Sequence, residues 1–177
     1  MVFWTAMDHY LSKEIEDVGR LYLRPIALKD APRIAELAGH PEVASWTSNI
    51  PHPYQLGDAK SWIKKTHADP LRQPFAIITE GKLLGCVSYW ENNDGNMEIG
   101  YWVGRPYWGA GIASQALKQL LKSEPELSAS PLVIARVMKG NMASQRVLIK
   151  NGFRSEKPCS ITKAGKEIDG LVFHLRK

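Results

Sequence analysis

Apolar and polar positions follow one another along this chain with two different spacings, and the changes from one to the other mark out its elements. At Ile112, Ala113, Ala116, Leu117, Leu120 and Leu121 the apolar residues recur at helical spacing, while Ser114, Gln115, Lys118, Gln119 and Lys122 take the opposite face. The pattern predicts an amphipathic helix. Ahead of it, Met97 to Val103 reads as a strand, joined to the helix by a turn that holds Gly109 and Gly111.

Towards the N-terminus, Leu21 to Ile26 reads as a strand that Pro25 confines to an edge or a bend. Asp30 can cap the next helix, whose stripe is Ala31, Ile34, Ala35, Leu37 and Ala38 and which stops near Gly39-His40-Pro41. Pro41 to Tyr54 is irregular, with prolines at 41, 51 and 53, and loops of this kind often carry recognition. A helix over Leu56 to His67 buries Ala59, Trp62 and Ile63. Phe75 to Thr79 and Leu83 to Trp90 form a β-hairpin through Glu80-Gly81-Lys82, and the turn from Glu91 to Asn96 leads into a third antiparallel strand near Met97. Residues before Gly19 fit a short amphipathic helix with Tyr10, Leu11, Ile15 and Val18 on one side.

Beyond the central helix, Glu124 to Pro131 reads as a polar loop and Leu132 to Val137 as an apolar strand. Because a helix precedes it, that strand should run parallel to Met97–Val103 by a right-handed crossover. Asn141 caps a short helix to Lys150, which stops at Asn151-Gly152. Strands near Phe153–Thr162 and Ile168–Leu175 close the chain as a hairpin through Ala164-Gly165-Lys166. The expected architecture is a single mixed α/β (α+β) domain over residues 1–177, with a mostly antiparallel sheet of six to seven strands, one parallel pair, and helices on both faces.

Composition narrows the function classes. With 177 residues, 44% of them hydrophobic and 23% charged, the chain is long enough for a full core and ordinary for a soluble globule. It has no apolar run long enough to cross a bilayer, and Met1 to Tyr10 lacks the features of a secretory signal, so a cytoplasmic protein without a membrane partner is expected. The net charge of +5 is spread along the chain without a basic run, which suits an acidic small ligand better than nucleic acid. Cys86 and Cys159 make no metal-like spacing with the histidines, so free thiols and no metal site are expected.

The turn before the central helix carries the clearest chemistry. Gly109 and Gly111 let the backbone curl and aim successive N–H groups at one point. The unpaired amides and positive dipole end of the following helix would hold a phosphate or pyrophosphate there.

These residues resemble the GNAT superfamily of acetyl-CoA-dependent N-acetyltransferases. Trp108-Gly109-Ala110-Gly111-Ile112-Ala113 is similar to that family's acetyl-CoA loop, and Asn141-x-x-Ser144 with Lys150-Asn151-Gly152-Phe153 to its second motif. Leu21 to Asp30 resembles the opening of the branch that holds the RimJ/RimL-like ribosomal-protein N-terminal acetyltransferases. The likeness covers nearly the whole chain after about Arg20, with the motifs in the right order. Two positions depart from it: Trp108 stands where the general pattern has Gln or Arg, and Leu148 where many relatives have a tyrosine that protonates the leaving thiolate.

The resemblance implies a GNAT-like fold in which Met97–Val103 splays from Leu132–Val137 and the pantetheine arm of acetyl-CoA enters the gap. It further implies that Val103 and its neighbours offer main-chain groups to the arm, and that an N–H near Tyr101, Trp102 or Val103 polarises the thioester carbonyl. Gly109, Ala110, Gly111, Ile112, Ala113 and Ser114 would hold the pyrophosphate, with Trp108 beside them and Arg105 as a candidate phosphate contact. Asn141 and Ser144 share a helix face; Asn141 is a cap, a cofactor contact or both, and Ser144 is the candidate donor to the leaving sulfur. Glu98 is the best-placed carboxylate for a general base, with His52 as its rival. The amine can also arrive already deprotonated, so that proximity does most of the work. Trp46, His52 and Tyr54 are the candidate acceptor-binding residues.

The expected activity is transfer of acetyl from acetyl-CoA to a primary amine, either a protein N-terminus or a small molecule, in a ternary complex of a monomer or homodimer. Within Pro41–Tyr54 the only carboxylate is Glu42, which weighs against polycationic acceptors. A non-catalytic acyl-CoA-binding or sensing module is the alternative. The hairpin ahead of the glycine turn argues against a doubly wound nucleotide-binding fold.

Overall fold

The computed structural model describes residues 20–176, and the amphipathic segment expected before Gly19 lies outside them. Among the described residues, seven strands form one sheet in the order β1-β2-β3-β4-β5-β7-β6. The strands are β1 (Tyr22–Pro25), β2 (Arg72–Thr79), β3 (Lys82–Glu91), β4 (Met97–Val103), β5 (Leu132–Met138), β6 (Arg154–Lys163) and β7 (Lys166–Arg176). The helices are α1 (Ala31–Ala38), α2 (Pro41–Ser45), α3 (Leu56–His67), α4 (Ile112–Ser123), α5 (Pro125–Ala129) and α6 (Met142–Lys150).

All neighbouring strands are antiparallel except β4 and β5. That pair is parallel and short, with Met97 opposite Val133 and Glu98 opposite Ile134, whereas β5 pairs β7 from Leu132 to Met138. From Ile99 onward β4 therefore turns one edge away from its neighbour, and its main-chain groups there need other partners.

Each face of the sheet carries its own core. Ala116, Leu117 and Leu120 of α4, Leu127 of α5 and Leu148 of α6 pack with Val87, Ile99, Val103, Val133 and Phe173. On the other face Ile34 and Leu37 of α1 and Ala59 and Ile63 of α3 pack with Ala76, Ile78, Leu83 and Cys86. Alternation along β4 divides its side chains accordingly: Tyr101 packs against the first core and Trp102 against the second.

Two stretches read as loops contain short helices. In the stretch from Pro41 to Tyr54, His40 Nδ1 accepts from the amide of Glu42 and caps α2, whose first residue is Pro41. Pro125 likewise opens α5 within the polar loop. Proline at the first helical position loses no hydrogen bond and supplies the right φ. Helices of five residues are too short for apolar periodicity to reveal.

Candidate active site

The gap between β4 and β5 opens into a cleft of about 1320 Å³ that runs through the sheet. Its lining extends from the glycine turn through α6 to Trp46, Tyr54, Trp90 and the outer end of β6.

At the cofactor end, Gly109 and Gly111 have φ of +81° and +76°, and a Cβ on either would meet nothing within 4 Å. Backbone conformation, not crowding, therefore requires glycine at both positions. Gly111 is the N-cap of α4 without a side-chain cap, and the carbonyl of Gly111 receives the amide of Gln115 at 3.0 Å. The amides of Ile112, Ala113 and Ser114 have no carbonyl of their own helix to bond. These three residues, with Trp108, Gly109 and Gly111, line the cleft, while the exposed Ala110 lies outside the lining.

Trp108 anchors this turn. Its indole N–H donates to the Val103 carbonyl at 2.7 Å, so the carbonyl expected to face an incoming arm already has a donor from the protein. Arg105 lies with its guanidinium 5.0 Å from the Trp108 ring centroid, and its Nε is 2.9 Å from Glu42 Oε2 of α2. It is outside the cleft lining, held in an ion pair that the sequence did not reveal. Asn151, read from sequence as a helix stop, donates from Nδ2 to the carbonyls of Val147 and Ser114 and to Ser114 Oγ, tying the end of α6 to the start of α4.

On the same side of the sheet Tyr101 meets Ser144. Tyr101 Oη is 2.8 Å from Ser144 Oγ and donates to the Ser144 carbonyl at 3.1 Å. Burial pushes the Tyr101 phenol up to about 12, against the pull of its Ser144 bond, so it holds its proton at neutral pH. Asn141 Oδ1 accepts the amide of Ser144 at 3.1 Å, which sets the first turn of α6 and the position of that serine. Leu148 is 1% exposed in the core.

Glu98 lies on the opposite face of β4, 8% exposed. Asn92 Nδ2 donates to its Oε2 at 3.1 Å, and Arg136 Nη2 stands 3.5 Å from the same oxygen. Asn92 is itself fixed, since its Oδ1 accepts the amides of Asp94 and Asn96. Trp46 and Tyr54 line this end of the cleft; His52 is exposed and lies outside the lining. Burial, with the Asp58 carboxylate adding to it, pushes Tyr54 up to about 12. Asp58, Asp69 and Glu91 also line the cleft, so its acidic content is not limited to the loop that holds Glu42. These carboxylates come from separate parts of the chain, and only the fold brings them to one cleft.

Two further placements bear on the chemistry. Cys86 borders the cleft, yet it is 2% exposed and burial pushes its thiol up to about 12. At neutral pH it stays protonated. Lys163, at the end of β6, donates from Nζ to the carbonyls of Ala44 and Ser45, both at 2.6 Å, clipping the last hairpin to the C-terminus of α2. No helix among the described residues is long and apolar enough to cross a membrane.

The family model described as Acetyltransferase (GNAT) domain matches residues 20–154, and the chain belongs to that family. It is 28% identical to an uncharacterized N-acetyltransferase, p20, of Bacillus licheniformis over 166 residues, covering 89% of this chain and 93% of that protein. It is 32% identical to the ribosomal-protein-serine acetyltransferase of Escherichia coli K12 over 81 residues, 45% of each chain. Its fold is that of Mycobacterium smegmatis RimJ in complex with CoA-disulfide, with a TM-score of 0.75 at 22% identity over 90% of this chain and 83% of the other.

Proposed function

We propose that this acetyltransferase carries an acetyl group directly from acetyl-CoA to a primary amine, either a protein N-terminus or a small molecule, within a ternary complex. The observation that carries the reading is the parting of β4 from β5 above the glycine turn, with a paired hydroxyl on one face of the gap and a buried carboxylate on the other. The similarity to a ribosomal-protein-serine acetyltransferase supports a protein as acceptor.

In this reading the first-turn amides of α4 take the pyrophosphate. The free edge of β4 pairs with the pantetheine arm, and an amide near Tyr101 to Val103 stabilises the oxyanion. Glu98, directly or through one water, takes the proton of the attacking ammonium. As the new C–N bond forms and the C–S bond breaks, the nitrogen gives up its second proton to solvent, and the thiolate receives a proton from the Ser144 hydroxyl, which regains one from solvent by way of Tyr101. Trp46 and Tyr54 flank the entering amine.

The test is thiol release from acetyl-CoA with a panel of amines and N-terminal peptides, together with calorimetric titration of acetyl-CoA. Binding with acceptor-dependent thiol release supports the reading. Binding without release from any acceptor favours a sensing module, and absence of binding overturns both.

A further inference from the structure

Trp90 stands in β3 directly opposite Glu98 of β4. Paired residues of an antiparallel ladder project from the same face, which places its indole with Glu98, Gly100 and Trp102. The ring then leans along β4 until it covers Gly100: a Cβ built on Gly100 would stand 3.0 Å from Cη2 and 3.3 Å from Cζ3 of the indole. Gly100 lies two residues past Glu98, the last residue of β4 paired with β5, so the tip of the indole covers the start of the open edge.

The indole is held from its other neighbour as well. Arg72 of β2 is opposite Trp90 in the ladder, and its guanidinium lies 4.4 Å from the ring centroid. Asp69 Oδ2 stands 4.0 Å from Arg72 Nε. A rigid ring with two side-chain torsions, stacked under a cation and fitted over a glycine, yields little to an incoming group.

We propose that Trp90 is the specificity-determining wall of the acceptor site, limiting the size of the group carried on the carbon next to the reacting amine. The proposal rests on the acetyl-transfer reading above, which puts the thioester at an amide near Tyr101 to Val103, the residues that follow Gly100 along β4. An amine approaching from the side of α1 and α3 must then bring its first carbon against the indole edge. Unbranched or small first residues fit, and branched ones collide. A misfit of one methyl group in such a pocket is worth about 10-fold or more in kcat/KM.

The test compares tripeptides that differ only in their first residue, glycyl, alanyl or valyl, by thiol release with saturating acetyl-CoA. The wild-type protein is expected to prefer the glycyl peptide over the valyl one by at least about 10-fold in kcat/KM. Trp90→Ala should bring that ratio close to one and Trp90→Phe to an intermediate value. Arg72→Met, which frees the ring without shortening it, should lower the ratio partway. An unchanged ratio in Trp90→Ala and Trp90→Phe, with turnover retained, overturns the role of Trp90 and leaves acetyl transfer standing. Lack of thiol release from all three peptides in the wild-type protein overturns this acceptor class; if every other amine of the wider panel fails too, acetyl transfer falls with it.

Discussion

The hydroxyls of Tyr101 and Ser144 lie 2.8 Å apart and join β4 to α6 beside the gap in the sheet. Leu148 of that helix is buried in the core, so the phenol beside Ser144 comes from the strand. Tyr101→Phe should therefore lower kcat with little change in KM for acetyl-CoA, and Ser144→Ala should lower it further, by roughly 10²-fold as for the loss of a general acid. Since burial holds the phenol up to about 12, its proton stays in place through any ordinary assay range, and no alkaline limb from Tyr101 should appear below pH 10. A pH–rate profile of the wild-type protein and both variants checks this.

Glu98→Gln keeps the shape and the Asn92 contact but removes the proton acceptor. At neutral pH the rate should fall by roughly 10²-fold. As pH rises and the acceptor amine sheds its own proton, the variant should recover towards the wild-type rate. Steady-state kinetics between pH 6 and pH 9.5 would show it, and a deficit that stays constant with pH would place Glu98 outside proton transfer.

Gly111→Ala isolates backbone strain from crowding, because the position has φ +76° with open space around it. Holding alanine in that conformation costs about 1–2 kcal/mol. The turn should relax away from its cradle shape, so that affinity for acetyl-CoA falls by about 10-fold while the melting temperature drops by only a few degrees. Calorimetric titration and thermal unfolding of the same preparation separate the two.

Asp30 offers a test of stability far from the chemistry. Burial works to raise its pKa, but the two-pronged bond from Arg24 and the amide of Ala27 outweigh it and hold the carboxyl below the usual range. A depressed carboxylate stabilises the fold above its unfolded pKa of about 3.9, and the benefit is lost as pH falls through the folded value. Asp30→Asn should melt well below the wild-type protein at pH 7, and the difference should shrink below about pH 4.

How much of this could be read beforehand depends on the range over which each signal acts. Helix α3 was legible to its ends, since its periodicity is local and Asp58 caps the amide of Gln55. The parallel placement of β4 and β5 followed from the helix between them. The glycines of the turn announced themselves because their conformation is a property of single residues. Helices α2 and α5 were too short to show a period. The Tyr101–Ser144 pair, the Arg105–Glu42 pair and the approach of Trp90 to Gly100 depend on strand register and on how elements pack. From sequence Trp90 is one of four aromatic residues, with Trp46, Tyr54 and Trp102, that could line the acceptor cleft, although aromatics are more often core; a clue lay in Gly100, a glycine inside an otherwise regular strand, which signals a close approach by some neighbour.

The anchoring of Trp108 to Val103, with Arg105 laid over the indole, bears on when the phosphate cradle acquires its form. A turn pinned by its own protein is shaped during folding, so the entropy of ordering it does not fall on the encounter with its guest. Such a turn acts as a finished mould rather than clay, and a relative lacking the indole would have to harden around each molecule it received.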